Sequence, residues 1–311
     1  MTGGFWASMY RLRLEGQPQA VPVDVVFRIA PDAAMGAKEL AVQQTLAELG
    51  FSTPHVWLAG PVDDIGGTWS VMDFAVGIPP LAGLGGFAAL RRSPGLLGRL
   101  SAQLAVPMAA LHALDPEPVS SAVTAAAPTV SWSVDKVLAN FEASAEIRGR
   151  SDLVAAVRAL TDGRPSEGKT VICHGDLHPF NLLIDGDGTV TVVDWTAAIR
   201  AEPAYDVAFT EFLLANPPLD ASGPLGAVIR WIGAHLARRF VAKYRAVAPH
   251  NDLGELAWYR ALHSLRILLE AASLENTEGP IPNGHPFIAL APTAASALSA
   301  ATGLPIGTQN G

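Results

Sequence analysis

The chain has 311 residues, of which 50% are hydrophobic and 16% are charged, and its 21 basic and 29 acidic residues give a net charge of −8. This composition excludes a disordered chain, which would be poorer in hydrophobic residues and richer in charge. The acidic balance argues against a nucleic-acid partner, because contact with a phosphate backbone needs clustered positive charge.

Three further features concern the compartment and the organisation of the chain. The single cysteine, Cys173, cannot form an internal disulfide, which suits a cytoplasmic protein. No run of about 18 apolar residues is present, and residues 1–16 lack the basic and apolar regions of a signal peptide, so we expect no membrane span and no membrane partner. The length predicts two domains, or one domain with two lobes.

The first third of the chain has the pattern of a small sheet with one helix. Strands are predicted over residues 9–14, 21–29, 56–59 and 69–74. Good helix formers predict a helix over 32–49, and Gly50 ends it. Gly77 and the two prolines after it interrupt the pattern, so we place the boundary there, with an N-lobe at 1–77 and a C-lobe at 78–311.

The remainder of the chain is mainly helical in pattern. Helices are predicted over residues 96–114, 134–147, 153–160, 209–214, 225–246 and 256–274. Residues 171–193 return to short strands, and the Pro-, Ser- and Ala-rich segment 116–130 is predicted to be a mobile connecting loop. The uncharged tail from Pro286 is predicted to form a helix packed on the core.

One segment matches a nucleotide-binding expression without its context. Residues 163–170 fit the P-loop pattern GxxxxGK[ST] letter by letter. A P-loop must leave a strand and open a helix, so that the N–H groups of the helix N-terminus face the phosphates. Here a helical pattern precedes Gly163 and a strand-like one follows Lys169. We therefore predict a surface turn, and keep a nucleotidase that uses Lys169 as a disfavoured alternative.

The stretch from Val171 to Ala208 carries the chemistry. Asp176 follows a predicted strand and a glycine, where a carboxylate is placed to accept a proton or orient a hydroxyl. Asn181 precedes a predicted hairpin and Asp194 follows it, so the fold of the hairpin should bring the two together. Two oxygen ligands suit Mg²⁺, and a base beside such an ion is the arrangement of phosphoryl transfer.

Three motifs in this stretch resemble those of a known family. They are HGDLHPFN at 174–181, VDW at 193–195 and PAYDVA at 203–208. Together they are similar to the catalytic loop, the DFG-like segment and the following helix start of the aminoglycoside phosphotransferase and choline kinase group. The resemblance implies an α+β, protein-kinase-like fold with two lobes. The N-lobe would hold a small antiparallel sheet whose first strand is missing here, and the larger C-lobe would be mainly helical.

The resemblance also implies a role for each matching residue of the catalytic segment. Asp176 would orient and deprotonate the acceptor hydroxyl, while Asn181 and Asp194 would hold Mg²⁺. His174 would be a structural hydrogen-bonding group. Asp206 would brace the catalytic loop through hydrogen bonds to its backbone.

The N-terminal residues resemble the nucleotide-binding part of the family with less specificity. Gly3 and Gly4 would cover the phosphates of ATP. Arg28 stands where kinases place a lysine on the α- and β-phosphates, and Glu39 would pair with it. The hinge would be formed by residues whose backbone bonds adenine, namely Asp73, Phe74 and Ala75.

These motifs predict an ATP- and Mg²⁺-dependent small-molecule kinase. It would move the γ-phosphoryl group of ATP to a hydroxyl of a small acceptor, with an aminoglycoside-type antibiotic, and hence antibiotic resistance, as one candidate. A catalytically weak kinase-like nucleotide- or small-molecule-binding protein is the alternative that the short N-terminal segment leaves open.

One acidic helix face leaves two interpretations. Asp135, Glu142 and Glu146 fall on one side of the helix predicted over 134–147. This face is either a solvated polar surface, which we favour, or a binding surface for a cationic acceptor of the kind seen in relatives.

Overall fold

The computed structural model describes residues 7–16, 18, 21–62, 64, 66–82, 87–166, 168–217, 223–275 and 285–308. The chain divides into two compact units. The first contains residues 1–132 and 171–200, and the second contains residues 133–170 and 201–311. The boundary after residue 77, drawn from the sequence, stays a prediction.

The first unit begins with a four-stranded antiparallel sheet. Its strands are β1 (Ser8–Arg13), β2 (Asp24–Ala30), β3 (Val56–Val62) and β4 (Gly67–Asp73). Their order is β1-β2-β4-β3, so β2 lies inside the sheet, and Arg28 on β2 pairs with Met9 of β1 and Ser70 of β4. Residues on alternate positions of a strand share a face, so Arg28 lies on the same face as Val26. The predicted sheet is confirmed.

Helix α1 (Ala33–Glu48) packs on the face of this sheet that holds Val26. Asp32 caps the helix, its carboxylate accepting a hydrogen bond of 2.8 Å from the N–H of Met35. Val26, Val56 and Met72 form a buried cluster, with Leu40 of α1 against it. This packing places Glu39, which precedes Leu40 on α1, next to Arg28.

The rest of the first unit carries two helices and four short strands. They are α2 (Phe87–His112), α3 (Pro116–Ala126), β5 (Val171–Cys173), β6 (Leu182–Ile184), β7 (Val190–Val192) and β8 (Ile199–Ala201). Strands β6 and β7 form the predicted hairpin, and β5 lies beside β8. Ile78 pairs with Ile184 through two backbone hydrogen bonds of 3.0 and 3.1 Å, which fix the hairpin to the segment that follows β4.

The second unit is helical. Its helices are α4 (Val134–Ile147), α5 (Ser151–Asp162), α6 (Ala204–Ala215), α7 (Gly223–Val247), α8 (Leu256–Glu275) and α9 (Pro286–Thr302). Phe209, Phe240 and Tyr244 have no exposed surface and lie in its core. Helix α9 contacts α8 and buries Leu290 and Leu298, which confirms the prediction of a packed helix in the tail.

The prediction of a loop over 116–130 is wrong, because most of it forms α3. Asp115 caps this helix by accepting a hydrogen bond of 3.0 Å from the N–H of Glu117. Pro116 lies in the first turn, where its fixed φ suits a helix and its missing N–H is no loss. Val119 and Val123, four residues apart, are buried on one face. The proline opens this helix and the serines lie in its middle, although both residue types are common in loops.

Two smaller differences concern element bounds. Helix α2 begins at Phe87, nine residues before the predicted start, although Pro94 and Gly95 lie within it. Strand β8 was not predicted, since three residues are too few to show a pattern. Within the described residues, no helix is both long enough and apolar enough to span a bilayer.

The cap of α3 can be tested by replacing Asp115. Substitution Asp115→Ala removes the acceptor at the helix start, so we expect a loss of about 1 kcal/mol in the free energy of unfolding, measured by urea denaturation. Asp187→Ala, in the exposed turn of the β6–β7 hairpin, is the matched control and should change the value by less than about 0.5 kcal/mol. Equal stability of the two variants would contradict the role of Asp115.

Candidate active site

The loop between β5 and β6 contains the predicted catalytic residues. Gly175 has a φ of 76°, in the left-handed region that favours glycine. A Cβ at this position would overlap the carbonyl oxygen of Ala197. A residue with a side chain therefore cannot take this place without moving the backbone on one side. The glycine of the HGD motif lets the loop pass close to the segment that follows Asp194.

His174 is fully buried, and its ring connects the loop after β5 to the residue after β7. Its Nδ1 accepts a hydrogen bond of 3.2 Å from the N–H of Asp176, so the ring proton is on Nε2. Nε2 lies 3.1 Å from the carbonyl oxygen of Val193 and donates to it. The centroid of this ring lies 4.7 Å from the centroid of the buried Trp195 ring. With both nitrogens engaged in this way, His174 has the geometry of a supporting group, and its role stays a prediction.

Asp176 and Asn181 contact each other directly. The Nδ2 of Asn181 donates to the backbone oxygen of Asp176 at 2.9 Å and to its Oδ2 at 3.3 Å. Asn181 is buried, while the side chain of Asp176 is 24% exposed and can be reached from solvent. His178 adds a third group, with its Nε2 at 3.5 Å from Oδ2 of Asp176. Since Nδ2 of Asn181 is directed at Asp176, Oδ1 is the atom of this amide that can hold a cation.

Asp194 follows β7 and lies beside Asn181 along the hairpin. The N–H of Val193 donates to the backbone oxygen of Asn181 at 3.0 Å, and Asp194 is the next residue. It has a φ of 69°, which costs a residue with a side chain about 1–3 kcal/mol, although aspartate tolerates this region better than most. Its Oδ1 accepts a hydrogen bond of 2.9 Å from the hydroxyl of Thr196.

The oxygen atoms at this end of the hairpin fit a magnesium ion. Asn181 contributes an amide oxygen and Asp194 a carboxylate, the hard oxygen donors that Mg²⁺ takes beside water and phosphate. Asn181 directly precedes β6, and Asp194 comes two residues after the end of β7. Because Leu182 of β6 pairs with Val192 of β7, these two residues lie at the same end of the hairpin. The metal assignment stays a prediction that the donor set supports.

Arg28 and Glu39 form a buried ion pair, as the sequence predicts for the phosphate-contacting position. Nη1 of Arg28 lies 2.7 Å from Oε2 of Glu39, and both side chains are largely buried. The pKa of the Glu39 carboxyl is raised to about 7, mainly by burial and in smaller part by the charge of Asp194. The ion pair with Arg28 lowers this pKa without offsetting the burial. Near neutral pH the carboxyl is therefore close to its titration midpoint.

Two residues that the sequence did not single out for this site join α1 to the segment after Asp194. The hydroxyl of Thr196 lies 3.1 Å from Oε2 of Glu39, and Nζ of Lys38 donates to the backbone oxygen of Thr196 at 3.1 Å. The sequence alone gives Thr196 no role in the site. The only signal was its position two residues after Asp194, which does not show that α1 would meet it.

One residue of the predicted hinge, Asp73, forms hydrogen bonds within the protein. The carboxylate of Asp73 accepts from the N–H of His55 at 3.1 Å and from Nε1 of Trp57 at 2.7 Å, and its own N–H donates to His55. Asp73 therefore orders the turn before β3. Within the described ranges, Ala75 forms no backbone–backbone hydrogen bond, and its predicted contact with adenine stays a prediction.

Phe74, Asp206 and the two glycines complete the set of predicted residues. The guanidinium of Arg11 lies 3.9 Å from the ring centroid of Phe74, a cation–π contact on the β1 side. Asp206 is buried in the first turn of α6, in the second unit, and its predicted bracing of the loop stays a prediction. Gly3 and Gly4 lie outside the described residues.

The acidic face of α4 is occupied by ion pairs. Arg164 pairs with Asp135, and Arg158 lies 2.7 Å from Glu142 and 3.5 Å from Glu146. The three acidic groups thus face arginines of their own unit. This arrangement matches the interpretation as an ordinary polar surface, in which exposed ion pairs contribute little energy.

The P-loop look-alike has the wrong surroundings. Gly163 is the C-cap of α5, and β5 begins at Val171, directly after the segment. No helix starts at Lys169 among the described residues of this stretch. The segment therefore lacks the helix N-terminus on which phosphate binding by a P-loop depends.

The small antiparallel sheet with α1, followed by the loop that carries Asp176, Asn181 and Asp194, defines a kinase-like phosphotransferase. A family model described as the phosphotransferase enzyme family (APH) matches residues 2–259. The chain belongs to this family, which confirms the resemblance stated from the sequence, the enzyme class and the α+β fold.

Comparisons with individual proteins agree on the fold. An aminoglycoside-3'-phosphotransferase of type VIII is 23% identical with a TM-score of 0.58, covering 85% of this chain and 90% of its own. A thermostable mutant of aminoglycoside phosphotransferase APH(4)-Ia, solved in a ternary complex with ADP and hygromycin B, is 16% identical with a TM-score of 0.62, covering 97% and 92%. The uncharacterized protein YcbJ of Bacillus subtilis (strain 168) is 52% identical over 40 residues, which span only 12% of this chain and 13% of that protein.

The buried carboxyl of Glu39 predicts a pH effect on stability. Its pKa in the folded protein, about 7, exceeds the ordinary value of 4.5, so the folded protein keeps a proton that the unfolded chain releases. The contribution of Glu39 to stability is therefore complete below about pH 4.5 and is lost as the pH rises through about 7. In metal-free buffer, we expect the wild-type protein to lose more unfolding free energy than Glu39→Gln between about pH 5 and about pH 8.

Urea denaturation at both pH values measures this difference. Glu48→Gln, an exposed glutamate at the end of the same helix, serves as the control and should keep the pH dependence of the wild type. If Glu39→Gln keeps it as well, the carboxyl of Glu39 does not hold a proton in the folded protein.

Proposed function

We propose that this protein transfers the γ-phosphoryl group of ATP, with Mg²⁺, to a hydroxyl group of a small molecule. The proposal rests on one observation, namely that hydrogen bonds of Asn181 connect it to Asp176 and to the residue before Asp194. Asn181 donates to Asp176 through its side chain, and its backbone accepts from the residue before Asp194. The ADP and hygromycin B held by the APH(4)-Ia phosphotransferase support a nucleotide and a hydroxylated acceptor.

Each group of the site has a part in this reaction. Oδ1 of Asn181 and the carboxylate of Asp194 hold the magnesium ion. When bound, that ion neutralises charge on the phosphate oxygens and helps to orient them. Arg28 binds the α- and β-phosphates with a guanidinium that stays charged at any working pH. Glu39 holds Arg28 in place from the side of α1.

The acceptor hydroxyl is bound next to Asp176. Its oxygen attacks the γ-phosphorus, the bond between the γ-phosphorus and the bridging oxygen breaks, and ADP leaves with the electrons of that bond. The hydroxyl proton passes to the carboxylate of Asp176, which Asn181 orients through its Nδ2. Positioning and charge neutralisation supply most of the rate in such transfers.

The acceptor is defined by its hydroxyl group. An aminoglycoside-type antibiotic is the finer proposal, with antibiotic resistance as its consequence. Recognition of such a cation by the acidic groups on α4 would have to compete with the arginines that pair with them. Sugars, macrolides and amino alcohols therefore belong in the same test.

The function is tested with Asp176→Asn against a panel of hydroxylated compounds. ATP consumption and the mass of the phosphorylated product are measured for each compound. For a compound that the wild type phosphorylates, the asparagine keeps a hydrogen-bonding group near Asn181 but cannot take the proton. We therefore expect the rate to fall by about 10²–10⁴ while nucleotide affinity stays within about twofold.

Lys169→Ala is the control and should leave the rate unchanged. A large loss in that variant would favour the P-loop alternative. Wild-type protein that binds Mg-ATP but transfers phosphate to no compound would favour the binding-protein alternative. An unchanged rate in Asp176→Asn would contradict the role of Asp176 as the base.

A further inference from the structure

Two adjacent residues of α1 contact Thr196, one at its backbone and the other at its side chain. Lys38 is buried, and its Nζ donates to the backbone oxygen of Thr196 at 3.1 Å. Glu39, the next residue, lies with Oε2 at 3.1 Å from the hydroxyl of the same threonine. Helix α1 therefore fixes both the main chain and the side chain of Thr196, which is 157 residues away from Glu39 in the sequence.

The hydroxyl of Thr196 also contacts Asp194. It lies 2.9 Å from Oδ1 of Asp194, the shorter of its two contacts with carboxylates. Within the described part of the chain, Thr196 is the recorded hydrogen-bond partner of this carboxylate. Among the described residues, Oδ2 of Asp194 accepts no hydrogen bond. Thr196 therefore holds Oδ1, and Oδ2 is left for a cation.

Asp194 needs such a restraint more than an ordinary surface aspartate does. Its φ of 69° places it in a region where the chain is strained, and its side chain is exposed rather than held by packing. Trp195, which follows it, is fully buried and donates from Nε1 to the hydroxyl of Thr53 at 2.8 Å. The backbone is thus anchored on one side of Asp194, while the direction of its carboxylate depends on Thr196.

We propose that Thr196 is a positioning residue, which orients Asp194 for metal binding and connects it to the Arg28–Glu39 ion pair. The inference rests on the proposed function, since it concerns the magnesium and phosphate contacts of that reaction. Groups that hold metal-binding carboxylates from outside affect metal affinity even though they do not touch the ion. A change in α1 that moves Glu39 would then affect the phosphate contact and the metal ligand together.

The test compares Thr196→Val with Thr196→Ser. Valine keeps the shape of the side chain and removes the hydroxyl, whereas serine keeps the hydroxyl. Binding of Mn²⁺ is measured by electron paramagnetic resonance in the presence of the non-hydrolysable nucleotide AMP-PNP. We expect Thr196→Val to bind Mn²⁺ roughly tenfold or more weakly than wild type, and Thr196→Ser to restore most of the affinity.

Two controls separate positioning from general stability. Thr191→Val, on β7 of the same hairpin, removes a hydroxyl for which the described residues provide no recorded hydrogen bond, and it should bind Mn²⁺ like wild type. Metal-free binding of AMP-PNP should be the same in all variants, because the direct ion pair between Arg28 and Glu39 is kept when the hydroxyl of Thr196 is removed. If Thr196→Val does not fold, Thr196→Ala is measured in its place with the same expectation.

The outcomes distinguish this inference from the proposed function. Wild-type protein that binds neither Mn²⁺ nor AMP-PNP would overturn the proposed function. Wild-type binding with an equal Mn²⁺ affinity in Thr196→Val would overturn the role of Thr196 and leave the proposed function standing. A variant that only melts at a lower temperature, with unchanged metal affinity, would make Thr196 a structural residue.

Discussion

The site depends on two hydrogen bonds formed by the backbone of Val193, one with the backbone of Asn181 and one with the side chain of His174. Its N–H donates to the backbone oxygen of Asn181, and its carbonyl oxygen accepts from the ring of His174. Val193, the residue after β7, is thus held from both ends of the catalytic loop. Because the next residue is Asp194, the position of this carboxylate relative to Asn181 follows from the main chain. The hairpin and the buried His174 therefore determine where the side chains of Asn181 and Asp194 begin.

A second constraint comes from the buried charges under α1. Arg28 and Glu39 are removed from water, and separating them would leave an uncompensated charge in the protein interior. A buried pair of this kind adds little net stability, but it defines where the guanidinium can lie. Burial raises the pKa of Glu39, because a charged carboxylate is disfavoured away from water. The position of the arginine is therefore fixed by its partner rather than by the sheet alone.

The sequence predicted the part of the site that is local along the chain. The five-residue spacing from Asp176 to Asn181 and the hairpin turn before Asp194 are short-range features, and the structure places these residues as the pattern indicates. The sheet, α1 and the packed tail helix follow from periodicity in the same way. Contacts between distant segments, such as Glu39 with Thr196, have no periodic signature and could not be predicted. The error over α3 has another cause, since Pro116 and Asp115 can form a loop or start a helix, and burial of Val119 decides between them.

The presence of arginine at position 28 has a consequence for chemical probes. Electrophiles that acylate the amine of a lysine in a nucleotide site need a nucleophilic nitrogen, and a guanidinium is protonated and delocalised at any practical pH. Position 28 therefore offers such a reagent no amine. The neighbouring amine of Lys38 is buried and directed at a backbone carbonyl. A covalent inhibitor for this protein would have to be designed around another group.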